Sequence, residues 1–257
     1  QTYQNFELII VNDGSTDGTQ EYLERLAASD GRIKYITNAQ SQGACAARNV
    51  AIQSANGFFV TGLDDDDELE PCHIGALVSY WQLLENASQQ FSAIYVQDQL
   101  RNNGEISILR KPSSAKAEDL LLSNCVGNQI FSTKDKFISA GLFDRDMPAW
   151  QDLEFYYRFL KLHGPARLLD VPSYIFDVSP RGDRISTGGK QKILNAYQHF
   201  IHKHRITNTK IQQQLLMQVY AKFYGFNVNL SDLLKVFKLG LNARVVFKII
   251  TRWLASR

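Results

Sequence analysis

Cysteine, methionine and proline are scarce in this chain of 257 residues, and it has no long apolar run. The three cysteines, Cys45, Cys72 and Cys125, are odd in number and form no CxxC pair. This pattern argues against a disulfide framework or a zinc site and predicts reduced thiols in a cytoplasmic protein. No apolar run approaches the roughly 20 residues of a membrane-spanning helix, and no signal peptide is visible after Gln1.

Acidic residues are almost missing from the last quarter of the chain. Residues 190–257 hold 12 lysines and arginines but one acid, Asp232, for a net charge of +11, whereas residues 1–189 carry −9. We therefore predict an acidic α/β domain over residues 1–189 and a basic helical extension over residues 190–257. The excess positive charge predicts an anionic surface as the partner of the extension.

One segment of this extension has the pattern of an amphipathic helix. Arg244, Lys248 and Arg252 recur every four residues, with Phe247 and Trp253 among the apolar residues around them. Such a helix can lie on an anionic membrane surface. A helix that packs on the catalytic domain and leaves its basic face in solvent would explain the pattern equally well. No platform of alternating aromatic and basic residues is evident, so we expect no nucleic-acid partner.

Short apolar strands alternate with helices through the first 90 residues. Strands are predicted over residues 6–12, 33–37 and 58–63. Three helices are predicted. The first begins at a capping box of Asp17 and Gln20, the second spans residues 43–55, and the third runs from Pro71 to about Glu85. The alternation predicts a parallel sheet with right-handed crossovers. Its carboxyl edge, where α/β sheets bind ligands, would carry Asp13, residues 37–42 and Asp64 to Asp67.

Beyond residue 90 the alternation is looser. Strands are predicted over residues 93–97, 106–109, 167–171 and 174–178, with an Asn103-Gly104 hairpin turn before the second. One helix is predicted from a cap at Ser132 to Gly141, and another over residues 150–163. The extension is predicted to be helical, with N-caps at Ser231 and Asn242 and a break at Gly240. Residues 180–189 have the composition of a polar loop.

The acidic run Asp64-Asp65-Asp66-Asp67-Glu68 directly follows the third predicted strand. Like charges about 4 Å apart repel by roughly 1 kcal/mol in water and about 4 kcal/mol near a protein surface, so a divalent cation would offset a substantial cost. A calcium loop fits poorly, because Leu69 stands where that loop needs glycine. A magnesium or manganese site shared with substrate phosphates needs only one or two carboxylates and fits better. A solvated acidic turn is the structural alternative.

Four blocks of sequence carry a family resemblance. They are YQNFELIIVNDGSTDGT at residues 3–19, GACAARN at 43–49, LDDDDELEP at 63–71, and GLFD at 141–144 followed by WQDLEFYYR at 150–158. In this order they resemble the family 2 glycosyltransferases, which are inverting nucleotide-sugar enzymes with the GT-A fold. The resemblance covers roughly residues 1–180. It begins after the first strand and helix usual in the family, which we expect to be missing here.

The resemblance implies a GT-A-like α/β fold, with a Rossmann-related mixed sheet flanked by helices and a helical C-terminal extension. Residues 1–189 would be the catalytic domain, with a nucleotide half over about residues 1–90 and an acceptor half over about residues 91–189.

The resemblance also implies the residues that bind the donor. Asp13 matches the aspartate that contacts the nucleotide base, and Arg48 matches the arginine that faces the nucleotide. Asp64 and Asp65 match positions that face the ribose and phosphates, and Asp66 matches the ligand of Mg²⁺ or Mn²⁺. Structural alternatives remain open: a turn former at Asp13, a surface ion pair at Arg48 and a structural acid at Asp66.

Asp152 matches the catalytic base of the acceptor half, although Gln151 stands where many members carry glutamate. A carboxylate within reach of the acceptor hydroxyl would remove its proton as the new bond forms, while a cation stabilises the leaving diphosphate. In-line attack with one carboxylate inverts the anomeric carbon, unlike the two-carboxylate retaining hydrolases. A favourable position at a helix N-terminus is the structural alternative for Asp152.

The implied function is transfer of a sugar from a nucleotide diphosphate donor, a UDP-sugar, to a hydroxyl of a glycan or lipid-linked acceptor in bacterial surface polysaccharide synthesis. We expect a cytoplasmic protein, peripheral on the inner face of the cell membrane. From its charge and its flexible composition, we expect the loop at residues 180–189 to close over the donor, with Arg181 or Arg184 reaching the diphosphate. Two rival functions stay open. One is a nucleotidyltransferase, although no glycine-rich, lysine-bearing phosphate loop is visible; the other is a non-catalytic nucleotide- or sugar-binding module.

Overall fold

A computed structural model describes residues 1–179, 189–221 and 224–255, without the side chains of Arg244 and Ala255. These residues form two compact units. Within the described part of the chain, unit 1 contains residues 1–117, 125–145 and 151–179, and unit 2 contains residues 118–124, 146–150, 189–221 and 224–255.

The secondary structure alternates first and becomes helical at the end. The strands are β1 (Leu8–Asn12), β2 (Ile33–Thr37), β3 (Phe59–Val60), β4 (Glu68–Leu69), β5 (Ala93–Asn102), β6 (Glu105–Leu109), β7 (Ser114–Ala115), β8 (Ser132–Thr133) and β9 (Ala166–Asp177). The helices are α1 (Thr19–Ser29), α2 (Ala44–Ser54), α3 (His73–Asn86), α4 (Ala117–Leu120), α5 (Lys134–Ser139), α6 (Gln151–His163), α7 (Lys190–Lys203), α8 (Thr209–Val219), α9 (Leu230–Leu239) and α10 (Ala243–Ala255).

Unit 1 combines parallel and antiparallel pairing. Strands β1 and β2 pair in parallel, as predicted, with Leu8 opposite Ile33. The largest sheet has the order β4-β9-β5-β6, in which β5 and β9 are parallel while β4–β9 and β5–β6 are antiparallel. The expectation of a parallel partner for the third strand is wrong, because β3 pairs antiparallel with β8. The sheet arrangement is therefore mixed.

An aromatic cluster packs behind β3 and explains why so short a strand is held in place. The ring of Phe59 lies 5.0 Å from that of Trp81 on α3 and 4.6 Å from that of Phe131. Trp81 and Phe131 are almost fully buried, together with Leu77 and Ile94. Such aromatic pairs add to the stabilisation from apolar burial, so the core lies directly beneath the segment that leads to the acidic run.

Three predicted helix caps are wrong, and each has a local reason. Gly18, with φ of 85°, is the N-cap of α1, and the side chain of Gln20 instead accepts hydrogen bonds from Asn12 and Thr37 at the ends of β1 and β2. Ser132 belongs to β8 and donates to the Ser92 carbonyl. The capping box of α9 is formed by Asn229 and Asp232, so the N-cap lies two residues before the predicted Ser231.

Other boundaries follow the chemistry of single residues. The Asn103-Gly104 turn is confirmed, because both residues have positive φ, of 49° and 89°, and join β5 to β6. The two strands predicted over residues 167–178 are one strand, β9, whose register against β5 shifts near Pro172. Proline lacks the N–H that a regular ladder requires, so the chain accommodates it with an irregularity.

Among the described residues, no helix is both long and apolar enough to cross a bilayer.

Candidate active site

Asp13 joins the end of β1 to the loop that follows β2. Its carboxylate accepts hydrogen bonds from Asn38 Nδ2 at 2.7 Å, Ser41 Oγ at 2.8 Å, Gln42 N at 3.0 Å and Gly43 N at 2.8 Å. Burial of the carboxylate acts to raise its pKa, but these donors outweigh it and lower the pKa of Asp13 to about 2. Asp13 is therefore ionised at neutral pH and shapes the loop before α2.

Gly14 permits this loop to close. Its φ is +81°, and a Cβ atom at this position would lie 2.8 Å from the backbone nitrogen of Ser41. Only glycine combines this backbone conformation with so close an approach. Two of the three predicted polar strand ends, Asp13 and residues 37–42, are thus brought together in the structure.

Arg48 is the centre of the site, because it connects residues from three of the four sequence blocks. From α2 its Nη2 atom donates to Asp64 Oδ1 at 2.6 Å, and its Nη1 atom lies 3.6 Å from Asp152 Oδ1. Its guanidinium also lies over the ring of Phe143, 5.5 Å from the centroid. Burial opposes the charged form of Arg48, but the carboxylates of Asp152 and Asp64 raise its pKa, so it stays a cation.

Asp152 lies in the first turn of α6 with about a quarter of its side chain (24%) exposed. Its Oδ1 atom is buried and accepts no hydrogen bond from any described residue. Burial raises the pKa of Asp152 to about 6; the positive charge of Arg48 opposes this rise, and the negative charge of Asp64 adds to it. A carboxylate with this pKa is largely ionised at neutral pH and can still accept a proton from a substrate.

The acidic run forms a tight turn, closed by a hydrogen bond of 3.1 Å from Asp67 N to Asp64 O. Asp65 and Asp66 occupy its centre, where Asp65 is exposed and Asp66 is partly buried. Asp67 is only 8% exposed and accepts hydrogen bonds from the Tyr174 hydroxyl at 2.6 Å and from the backbone N of Asp177 at 3.2 Å. Asp67 therefore anchors the turn.

Two residues of this site have no counterpart in the sequence predictions. Gln129 donates from Nε2 to Asp64 Oδ1 at 3.2 Å, so it shares that oxygen with Arg48. Its amide lies over Gly62, where a Cβ atom would come within 2.0 Å of Gln129 Oε1. The second such residue is Tyr174, whose hydroxyl donates a hydrogen bond to Asp67. The one sequence signal was Gly62 inside an apolar strand pattern, which indicates close approach of another group.

The turn supplies only carboxylate oxygens, which are the donors that Mg²⁺ and Mn²⁺ prefer. Within the described part of the chain, no three His, Cys, Asp or Glu side chains converge on one point. A cation at Asp66 would therefore share its coordination with substrate phosphates, as the sequence predicts, and the donor set fits that arrangement. The predicted donor loop, including Arg181 and Arg184, lies outside the described residues except for Gly189.

Comparison of sequences identifies relatives. The family described as Glycosyl transferase family 2 matches residues 1–137. The Escherichia coli K12 protein WcaA, named for colanic acid biosynthesis, is 32% identical over 206 residues, which are 80% of this chain and 73% of WcaA. A Campylobacter jejuni protein, named GalNAc(5)-diNAcBac-PP-undecaprenol beta-1,3-glucosyltransferase, is 24% identical over 254 residues, covering 93% of this chain and 77% of that protein.

Comparison of structures finds the same fold. TarS of S. aureus, residues 1–349 in complex with UDP-GlcNAc, is similar with a TM-score of 0.61 at 14% identity, over 98% of this chain and 80% of that one. The mannosyltransferase PcManGT of Pyrobaculum calidifontis, in complex with GDP-Man and Mn²⁺, has a TM-score of 0.52 at 15% identity, over 97% and 76%. These likenesses confirm the predicted GT-A type of mixed α/β fold. With the family match over more than half of its length, the chain belongs to glycosyl transferase family 2.

Proposed function

We propose that this protein transfers a sugar, with inversion, from a UDP-sugar to a hydroxyl of a glycan or lipid-linked acceptor in bacterial surface polysaccharide synthesis. The observation that carries the proposal is the position of Arg48 between Asp64 and Asp152. One cation connects the acidic turn, which suits a nucleotide diphosphate, with a carboxylate of raised pKa that suits a general base. The names of WcaA and the C. jejuni relative, and UDP-GlcNAc bound to TarS, support the substrate class.

The donor would be bound by Asp13, Arg48, Asp64 and Asp65. Asp13 holds the loop before α2 in place, and we propose that at the rim of this loop it also contacts the nucleotide base. Arg48 orients Asp64 through the 2.6 Å ion pair, while the exposed Asp65 faces the ribose and phosphates. We propose Asp66 as the ligand of Mg²⁺ or Mn²⁺, which when bound offsets the charge of the leaving diphosphate.

Asp152 would act as the general base. Its Oδ1 atom is buried beside Arg48, so Oδ2 is the atom that accepts the proton of the acceptor hydroxyl. The acceptor oxygen then forms its bond to the anomeric carbon while the bond from that carbon to the diphosphate oxygen breaks on the opposite face. The proton ends on Asp152 and the electron pair on the nucleotide diphosphate.

The proposed domains are a catalytic domain over residues 1–189, with nucleotide and acceptor halves meeting near residue 90, and the helical extension over residues 190–257. We also propose that the protein works at the inner face of the cell membrane, because a lipid-linked acceptor would be anchored there.

The Asp152→Asn variant tests the function. Release of UDP should be measured with UDP-sugars and a diphospholipid-linked acceptor, and donor affinity should be measured by calorimetry. We expect turnover to fall about 10²–10⁴-fold, because the asparagine side chain cannot act as a base. Donor affinity should stay within about threefold of that of the unmodified protein, because asparagine has the same shape as aspartate. Asp135→Asn is the matched control, since Asp135 also lies in the first turn of a helix, α5, and is exposed. Equal turnover of the two variants would remove Asp152 as the base.

A further inference from the structure

The last two helices and the segment that joins them expose large apolar side chains to solvent. Five large apolar residues between positions 230 and 254 are more than half exposed, with Leu241 at 80% and Phe247 at 70%; the others are Leu230, Leu234 and Leu254. Single exposed leucines are ordinary on protein surfaces. A series of exposed large apolar residues along two consecutive helices is unusual on a protein surface and indicates an interaction surface.

The spacing shows that each helix has two apolar faces. In α10 the exposed Phe247 and Leu254 are seven residues apart, and the buried Val245 and Ile249 are four residues apart on another side. In α9 the exposed Leu230 and Leu234 are likewise four residues apart, and Leu233 and Val236 are buried. The inner faces supply the core of unit 2. We name the exposed set, Leu230, Leu234, Leu241, Phe247 and Leu254, the outer apolar face.

The charged side chains of α9 and α10 are mostly basic. Lys235 and Lys238 on α9 and Lys248 on α10 are exposed, and Lys235 lies 3.8 Å from Asp232. Asp232 is the single acid of residues 190–257; it is 1% exposed and accepts a hydrogen bond from Lys190 within unit 2. Unit 2 also contains exposed acids in its two other segments, which are Glu118, Asp119 and Asp146. Among residues 190–257, the outer apolar face is therefore accompanied by exposed lysines and by no exposed acid.

The structure also changes which residues of the predicted amphipathic stripe can reach a partner. The guanidinium of Arg252 donates to the Tyr220 carbonyl of the same unit and is only partly exposed. Lys248 keeps its exposed position beside Phe247. Of the predicted stripe, Lys248 is therefore open to a partner and Arg252 is partly engaged within unit 2, while the side chain of Arg244 lies outside the described part of the structure.

We propose that the outer apolar face docks on an anionic lipid bilayer. Phe247 and the four leucines would enter the interface below the phosphates, and the three lysines would bind the headgroups. Charge complementarity favours lipid, because a protein partner of mixed charge would leave the lysines without matching acids, whereas an anionic leaflet supplies negative charge everywhere. The inference deepens the proposed function, since a lipid-linked acceptor would be met at that surface.

The test measures sedimentation of the full chain with vesicles of phosphatidylglycerol and phosphatidylcholine, and with phosphatidylcholine alone. We expect binding to the anionic vesicles only. Phe247→Ser with Leu254→Ser should weaken it at least about tenfold by loss of apolar insertion. Lys235→Gln with Lys238→Gln and Lys248→Gln should weaken it about 100-fold, at about fivefold for each lysine near the surface. The control is Leu83→Ser with Leu162→Ser, two helical leucines that are each 59% exposed.

Circular dichroism would verify that each variant is folded, and the lysine variant keeps the test valid if the apolar variant does not fold. Equal binding to both kinds of vesicle, unchanged binding of both variants, or a dimer that the apolar variant converts to a monomer without any vesicle binding would overturn the proposal. Donor affinity in solution should be the same in all these variants. Vesicle binding without sugar transfer would therefore refute the proposed function alone, and transfer in solution without vesicle binding would refute this inference alone.

Discussion

At the scale of single residues, the site depends on charges that offset one another. Arg48 lies between two carboxylates that differ in their state: Asp64 is in direct contact with it at 2.6 Å, and Asp152 lies 3.6 Å away without a hydrogen bond. The direct ion pair leaves Asp64 firmly oriented. Burial raises the pKa of Asp152 to about 6 and the charge of Arg48 only partly opposes this rise, so Asp152 has enough basicity to take a proton.

The first prediction concerns the pH dependence of transfer. If the ionised form of Asp152 is the base, as we propose, its pKa of about 6 means that kcat/KM should fall as the pH drops through about 6, well above the range of an ordinary aspartate. The positive charge of Arg48 lowers this pKa, so Arg48→Gln should move the acidic limb to higher pH as well as reduce the rate. Arg110→Gln, at an exposed ion pair with Asp170, should leave the limb in place. An acidic limb near pH 4, or one that Arg48→Gln does not move, would contradict the assignment.

The second prediction concerns Tyr174, which donates to the buried carboxylate of Asp67 at 2.6 Å. Tyr174→Phe should lower the free energy of unfolding by about 1–3 kcal/mol, because a buried carboxylate loses a donor. Tyr95→Phe is the matched control, since the Tyr95 hydroxyl donates at 2.6 Å to a neutral acceptor, the Pro112 carbonyl. Urea denaturation at pH 8, where Asp67 with a pKa of about 7 is mostly ionised, compares the two. A loss no larger than that of Tyr95→Phe would show that Tyr174 does not anchor the turn.

At the scale of elements, the site is built from turns that follow strands. Asp13 and Gly14 follow β1, residues 38–43 follow β2, and the acidic turn follows β3. Side chains from distant parts of the chain hold two of these turns: Asp13 binds residues 38–43, and Tyr174 binds the acidic turn through Asp67. The helices contribute Arg48 from the second turn of α2 and Asp152 from the first turn of α6.

The third prediction tests the turn after β1. Gly14→Ala should destabilise the fold by about 1–3 kcal/mol, because alanine is strained at a φ of +81° and its Cβ would lie 2.8 Å from Ser41 N. Donor affinity should also fall, since the loop held by Asp13 would move. Gly31→Ala is the control, because it has open space around it; its stability should change by less than about 1 kcal/mol. Urea denaturation and calorimetry measure both effects, and equal stability of the two variants would show that the close approach at Gly14 is unimportant.

At the scale of the whole molecule, the two compact units differ in charge, and we propose different tasks for them. All of the described residues proposed for donor binding and for proton transfer lie in unit 1, and the outer apolar face lies in unit 2. The net charge is −9 before residue 190 and +11 from there on, and unit 2 contains the basic part together with residues 118–124 and 146–150. Substrate chemistry is thus proposed for unit 1 and surface attachment for unit 2.

The fourth prediction follows from this separation. Hydrogen exchange with UDP and Mn²⁺ present should slow in residues 38–43 and 64–67 of unit 1, because the ligand stabilises the folded form of its own site. The outer apolar face on α9 and α10 should exchange at an unchanged rate. Mn²⁺ with inorganic phosphate serves as the control for non-specific effects. Equal protection of both units, or none at the two loops, would be inconsistent with a donor site contained in unit 1.

Much of this protein is determined by sequence that acts locally. The apolar patterns predict β1, β2 and α6 closely, and Asn103-Gly104 predicts its hairpin, because these features depend on neighbouring residues alone. The order of the four blocks is enough to indicate the family, and the site residues that it implies stay a prediction. Helix caps at Asp17, Ser132 and Ser231 are predicted wrongly, since a competing glycine, a strand or a neighbouring asparagine takes each position.

The tertiary structure alone decides how the site residues meet. Arg48 is 104 positions from Asp152, Gln129 is 65 from Asp64, and Tyr174 is 107 from Asp67. No local pattern encodes such pairs, because they arise from the order of strands in the sheet and from the packing of α2 against it. The same holds for the C-terminal helices, where the sequence shows a basic amphipathic pattern but only packing decides that Arg252 binds the Tyr220 carbonyl and is partly buried, while Phe247 and Lys248 are exposed.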